Sequence, residues 1–267
     1  MSASLSALYV YPVKSCAALA PASAQVEARG LAGDRRWLVV DAAGKFVTGR
    51  LYARMPLIRA TPLAQGLRLE APDMPPLEIA IPPADAPRRR VEVWRSPVDA
   101  LPAEAAADAW FSRFLGAELS LVHMDEAAHR AVSPDYGRPG DEVSFADGYP
   151  QLLISAAALD ALNARLAEPV DMRRFRPNLV VAGTAPHAED DWKRIRIGDV
   201  EFDVVKPCTR CVFTTVDPQR GQRNADGEPL KTLTGYRRTA AGVTFGQNLI
   251  PRGRGTIALG DAVEVLA

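Results

Sequence analysis

The sequence has no net charge: 32 Lys and Arg balance 32 Asp and Glu among 267 residues. Without a global field the chain has nothing to draw in nucleic acid or an anionic membrane, so any anion site must be local. Cysteine is scarce as well. Cys16, Cys208 and Cys211 are too few for a disulfide framework, and their odd number argues against a secreted scaffold. The expected setting is reducing, and hence cytoplasmic. No apolar run approaches the roughly 18 residues that a spanning helix needs, and the opening MSASLSALYVYPVKSC has no basic leader ahead of an apolar core. The expectation is a chain without a targeting segment and without a membrane. Internal repeats are lacking, and low complexity is confined to alanine-rich patches such as PAEAAADAW.

Hydrophobic residues make up 48% of the chain and charged residues 24%, the proportions of a folded globular protein rather than a disordered one. The length suits one large domain or two modest ones with a sizeable core. In the first part of the chain SALYVYPV, AQVEARG, RRWLVVD, KFVTGR, LRLEA, LEIAI and RRVEVW read as short strands separated by turn residues. VVDAAGKFV reads as a hairpin with Gly44 in its tight loop, and the prolines of APDMPPLEIAIPPADAPRRR suit edges and loops. Two helices interrupt the pattern. Over 103–115, Trp110, Phe111, Phe114 and Leu115 recur at helical spacing before Gly116, and Ser155 caps a second helix carrying Leu159, Leu162 and Leu166 on one face. After Pro169 the segments NLVVAGT, RIRIGDVEFDVVKP, CVFTTV and GTIALGDAVEVLA return to strand character. These elements predict a mainly β fold with a few helices (α+β), arranged as a barrel or packed sheets, with a boundary between residues 96 and 120.

The stretch KPCTRCVFTTVDP holds two of the cysteines three apart. A thioredoxin-like pair sits where a strand enters a helix, because the helix N-terminus lowers the first thiol's pKa. Here VFTTV is β-branched and aromatic and predicts a strand instead, which weakens that reading. Four-ligand zinc is disfavoured too, since Cys16, His123, His129 and His187 offer no second paired spacing. If the segment is extended throughout, Cys208 and Cys211 point to opposite faces and only one thiol can serve a given site. Lys206 and Arg210 are cations that favour thiolate. On the residues alone a functional thiol and two buried structural thiols both stay open.

Six patches, YPVKSC (11–16), GDRRWLVVD (33–41), FRPNLVV (175–181), CTRCVFTTVDPQRG (208–221), FGQN (245–248) and the closing GTIALGDAVEVL, occur in this order over nearly the whole chain. Together they resemble the MOSC-domain proteins that bind molybdenum cofactor, and most of all the branch of the mitochondrial amidoxime-reducing component and its bacterial relatives. The resemblance implies an N-terminal β-barrel-like domain over 1–100 and a MOSC β-barrel domain over 101–267, with a molybdenum cofactor (Mo-molybdopterin) held between them. It implies Cys211 as the metal ligand and catalytic residue, a soft thiolate beside the dithiolene sulfurs. Cys208 is then a neighbour without an assigned role. By the same resemblance Lys14, Ser15, Arg35, Arg176, Asn178, Thr209, Arg210 and Asn248 match cofactor-binding positions. A lysine beside a hydroxyl suits phosphate, and arginine forks and an asparagine amide suit phosphate or pterin edges. Two departures stand out. Gly148 and Tyr149 replace a Thr-Ser pair of the family's human members, and Asn248 replaces a tyrosine.

The implied activity is that of an oxidoreductase acting on small N-hydroxylated or N-oxygenated compounds. Some bacterial relatives add a ferredoxin domain and this sequence ends at Ala267 without one, so the expected electron source is a separate flavoprotein, iron–sulfur or haem carrier. The alternative implied by the family is a cofactor carrier or sulfur-transfer protein. Apart from the resemblance, Arg35 and Arg36 read as the flank of a strand, RRFRPN as a solvated basic turn, and DGYP and ADGEP as ordinary turns. Asp217 reads as an Asp-Pro turn start, His123 as a strand residue, and His129 and His187 as exposed. No acid or base is nominated.

Overall fold

The structure, a computed structural model, describes residues 2–267. Its largest sheet runs in the order Ser4–Leu8, Leu179–Ala182, Gln151–Ser155, Gly242–Pro251, Val200–Thr209, Arg194–Ile197, Val263–Val265. The two ends of that order meet. Ser4 bridges Ala262, the Leu5 amide donates to the Asp261 carbonyl and the Val263 amide to that of Ala3, so the sheet closes almost into a barrel. One pairing, Gln151–Ser155 with Leu179–Ala182, is parallel, and the helix Ala156–Asn163 supplies the crossover that a parallel pair requires. Leu5, Leu8, Val181, Ile195, Ile197, Phe202 and Leu249 fill the interior.

A second body of structure is built from a four-stranded sheet, in the order Trp37–Asp41, Leu119–His123, Ser96–Pro102, Arg89–Val93, and from the meander Arg59–Leu63, Gly66–Glu70, Leu77–Ala80. The helix Ala105–Leu115 lays Trp110, Phe111 and Phe114 against a cluster containing Val39, Met55, Ile58 and Leu69. Each fully buried aromatic there contributes on the order of 2–3 kcal/mol. That helix ends at Gly116, which takes a left-handed φ of 70° and returns its N–H to the Ser112 carbonyl. Ser155 caps the other predicted helix, its side chain accepting from the Ala158 amide at 3.2 Å. The fold is thus mainly β with few helices. Among the described residues no helix is long and apolar enough to cross a membrane.

Three local expectations are overturned. CVFTTV is not a strand: Val212–Thr215 forms a 3-10 helix, followed by the two-residue strand Val216–Asp217. The threonines explain the difference. Thr214 Oγ1 donates to the Cys211 carbonyl at 2.9 Å and Thr215 Oγ1 to that of Val212 at 2.8 Å, local bonds that favour a tight turn over β propensity. A third helix, Leu230–Tyr236, adds to the two expected, and its one buried residue, Leu233, makes no periodic stripe in the sequence. His187 is half-buried rather than exposed, with its ring edge-on to Tyr236 and Phe245.

Candidate active site

Between the two bodies of structure lies an open cleft. All of the sequence-predicted residues except Asn178 line it, and so does Cys208. Residues that are far apart in the chain arrive on turns. Ser15, Arg35 and Arg176 have φ of 68°, 51° and 57°, a left-handed conformation that costs a non-glycine residue about 1–2 kcal/mol. Three such residues facing one cleft amount to stored strain held by their surroundings. The surroundings can be named: the Arg35 amide donates to the Tyr11 carbonyl at 2.7 Å, the Tyr11 amide to buried Asp34 at 2.8 Å, and the Tyr11 hydroxyl to the Pro177 carbonyl at 3.0 Å.

Arg35 donates to Asp34 at 2.8 Å, to Asn178 Oδ1 at 3.0 Å and to the Arg176 carbonyl at 3.2 Å. Asn178 is completely buried behind this guanidinium and does not reach the cleft. Arg176 lies 4.1 Å over the Tyr11 ring and donates to the Cys16 carbonyl at 2.7 Å. Burial pushes its guanidinium down to about 10, so it is still charged at neutral pH.

Lys14 is almost wholly buried, and its ammonium donates to the Phe145 carbonyl at 2.8 Å and to Asp147 at 2.6 Å. Burial pushes this lysine down to about 8, against the pull of Asp147. The Asp147 side chain is 74% exposed within the cleft, so the desolvation that would raise its carboxyl is outweighed by Lys14, Arg35 and Arg50, which hold it well below the usual carboxylate range. Arg130 fixes this wall from behind, donating to the carbonyls of Ser144 and Asp147 at 2.9 and 2.8 Å.

The cysteine segment completes the opposite wall. Cys208 is the penultimate residue of the long Val200–Thr209 strand, which bulges between Pro207 and Thr209, and Cys211 sits at the N-cap of the 3-10 helix. Because the chain is not extended through the segment, both thiols line the same cleft, contrary to the opposite-face expectation. Cys211 is exposed. Cys208 is half-buried and accepts from Arg210 Nη1 at 2.8 Å. Cys16 is fully buried, and burial pushes its thiol up to about 12, which removes it from thiolate chemistry. Asn248 donates to the Lys206 carbonyl at 3.1 Å.

Several cleft residues were not singled out from the sequence: Thr48, Arg50, Asp147, Gln151, Arg174 and Phe213. Arg174 belongs to what reads as a solvated basic turn, yet it donates to the Thr215 carbonyl and to Asp217, tying the turn after Cys211 to the wall. Asp147 lies in DGYP, which is more than an ordinary turn. Gly30, at φ 115°, lets a strand approach that turn so closely that a Cβ would stand 2.6 Å from the Pro150 carbonyl oxygen. Gly49 similarly admits Phe213, whose ring a Cβ would meet at 2.1 Å. Of these residues only the glycines offered a sequence signal.

The lining gathers Lys14, Arg35, Arg50, Arg174, Arg176 and Arg210 around a single carboxylate, Asp147, in a chain of zero net charge. Arg176 Nη2, Arg210 Nε and both amide atoms of Gln151 are buried without a partner among the described residues. A cationic cleft with unpaired donors and an exposed thiol suits a polyanionic ligand with a hydrogen-bonding ring edge and a soft metal.

The chain matches the MOSC N-terminal β-barrel domain over residues 2–118 and the MOSC domain over residues 140–264. It is 36% identical to the mouse mitochondrial amidoxime-reducing component 1 over 277 residues, covering 97% of this chain and 81% of that protein. With the human protein of the same name the identity is 35%, covering 97% and 82%. A rice molybdenum cofactor sulfurase is 31% identical over 91% of this chain but only 32% of its own length. These relatives correct the cytoplasmic expectation, since the amidoxime-reducing components are named mitochondrial. Few cysteines report a reducing environment and do not separate the cytoplasm from other reducing compartments. The chain belongs to the MOSC family, in the branch of the amidoxime-reducing components.

Proposed function

We propose that the chain is a molybdenum cofactor-dependent oxidoreductase that reduces small N-hydroxylated or N-oxygenated compounds with electrons from a separate protein. The carrying observation is the meeting of exposed Cys211 with six cations and several unpaired donors in one cleft of an uncharged chain. In this reading the N-terminal unit, matched over residues 2–118, and the MOSC unit, matched over residues 140–264, hold the cofactor between them. Lys14, Ser15, Arg35 and Arg50 come from the first, and Arg176, Thr209, Arg210, Cys211 and Asn248 from the second. Cys211 is the metal ligand. Lys14 and the arginines neutralise the anionic tail, and Arg35, held by Asp34 and Asn178, is pre-organised for it. Asn178 acts through Arg35 as a positioning residue. When bound, the cofactor supplies two-electron chemistry in which an N–O bond is cleaved, two protons are taken up and the oxygen leaves as water. The chain's part is to orient the substrate over the cationic floor and to keep the segment after Cys211 rigid through Arg174 and Asp217.

A reductase carries out turnover, and a carrier does not. Protein purified from a host that makes the cofactor is expected to convert a simple amidoxime to the amidine with a chemical electron donor. Metal-loaded protein that never turns over would favour the second reading, cofactor carriage or sulfur transfer, which the similarity to a sulfurase supports.

A further inference from the structure

One aromatic residue beside the cleft is not among those assigned to the cofactor. Trp94 is 45% exposed, whereas Trp37, Trp110 and Trp192 are buried. It occupies the two-residue turn between the strands Arg89–Val93 and Ser96–Pro102 with φ 58°, a conformation that glycine takes readily and a bulky aromatic does not. Its indole N–H donates to Asp147 Oδ1 at 3.3 Å, the Arg50 guanidinium lies 4.5 Å over its ring, and Phe46 leans against it at 5.1 Å with a 52° tilt. Asp147 and Arg50 both line the cleft, so these contacts fix an open indole on its rim. Leu51 and Val212, the sequence neighbours of the cleft residues Arg50 and Cys211, are also exposed. A strained and solvent-exposed aromatic next to a ligand cleft is the kind of outlier from which function is inferred.

We propose that Trp94 is a specificity-determining residue that stacks the aryl body of aromatic N-hydroxylated substrates, with the N–O head directed toward the Cys211 side of the cleft. The inference rests on the reductase reading above. Stacking against an indole is non-directional toward polar heads but selective for flat apolar bodies, so it favours aryl over small alkyl compounds.

The test compares an aryl amidoxime with acetamidoxime on the metal-loaded wild type, Trp94→Ala and Trp94→Phe, using a chemical electron donor. Loss of the indole is expected to lower kcat/KM for the aryl compound roughly 2- to 10-fold, mainly through KM, with acetamidoxime unchanged and most of the loss recovered in Trp94→Phe. A redox-inert aryl amidine is expected to quench the tryptophan emission of the wild type but not of Trp94→Phe. Equal losses on both substrates, or no loss on either, would overturn the proposal. If the wild type reduces neither compound, the reductase reading fails and the quench decides alone: its absence overturns the role of Trp94, its presence supports it.

Discussion

Replacing Asn178 with alanine removes the side chain that joins three parts of the cleft wall. Its Oδ1 accepts from Arg35 at 3.0 Å and from the Leu152 amide at 3.3 Å, and its Nδ2 donates to the Tyr9 carbonyl at 3.1 Å. Asn178 is completely buried, so bulk water cannot take over these contacts. A buried polar group left without a partner costs about 1–3 kcal/mol. Arg35 keeps its bond to Asp34, which holds the total below three full penalties, at about 3 kcal/mol. For a chain of this size that corresponds to a thermal midpoint lower by roughly 6–12 °C, read by circular dichroism. Because Arg35 loses an anchor, affinity for inorganic phosphate is expected to fall in the same variant. A midpoint within about 2 °C of wild type would refute the claim that this amide organises the wall.

Two further perturbations reach the cleft by other routes. Burial holds Lys14 down to about 8, so the cleft loses a positive charge as the pH rises through that value. Phosphate affinity, measured by titration calorimetry between about pH 7 and 9, is expected to weaken in the wild type and to run flatter in Lys14→Met; parallel profiles would contradict the assignment. Gly49→Ala sets a methyl 2.1 Å from the Phe213 ring, which must shift within the cleft. The expected result is a stability loss of about 1–3 kcal/mol together with weaker phosphate binding, and wild-type values in both measurements would show that the ring moves freely.

What the sequence makes legible is what local patterns encode. The helix Ala105–Leu115 announces itself through Trp110, Phe111, Phe114 and the Gly116 stop, and the helix after Ser155 through its cap. The short alternating strands likewise declare a β fold. The turn after Cys211 departs from the strand its composition predicts because the Thr214 and Thr215 hydroxyls, which bond backward to carbonyls, outweigh their β propensity. The cleft is harder to read. Arg50 and Arg174 look like ordinary surface charge until the fold brings them to Cys211, and DGYP looks like a plain turn until Lys14 meets Asp147. The resemblance puts Asn178 among the cofactor-binding positions, and its place behind Arg35 emerges only from the packing. No periodicity reports which side chains converge from distant parts of the chain.

If Cys211 rather than Cys208 ligates molybdenum in this cleft, the metal's coordination reports it. Molybdenum per chain, measured on protein from a cofactor-producing host together with the metal's X-ray absorption spectrum, tests it directly. The wild type and Cys208→Ala are expected to carry the metal with the same sulfur coordination, since the Cys208 thiol is engaged by protein groups, accepting from Arg210 and donating to the Thr209 carbonyl. Cys211→Ala is expected to lose the metal or one sulfur from its coordination. Equal effects of the two substitutions, or a wild type that never carries molybdenum, would contradict the role proposed for Cys211.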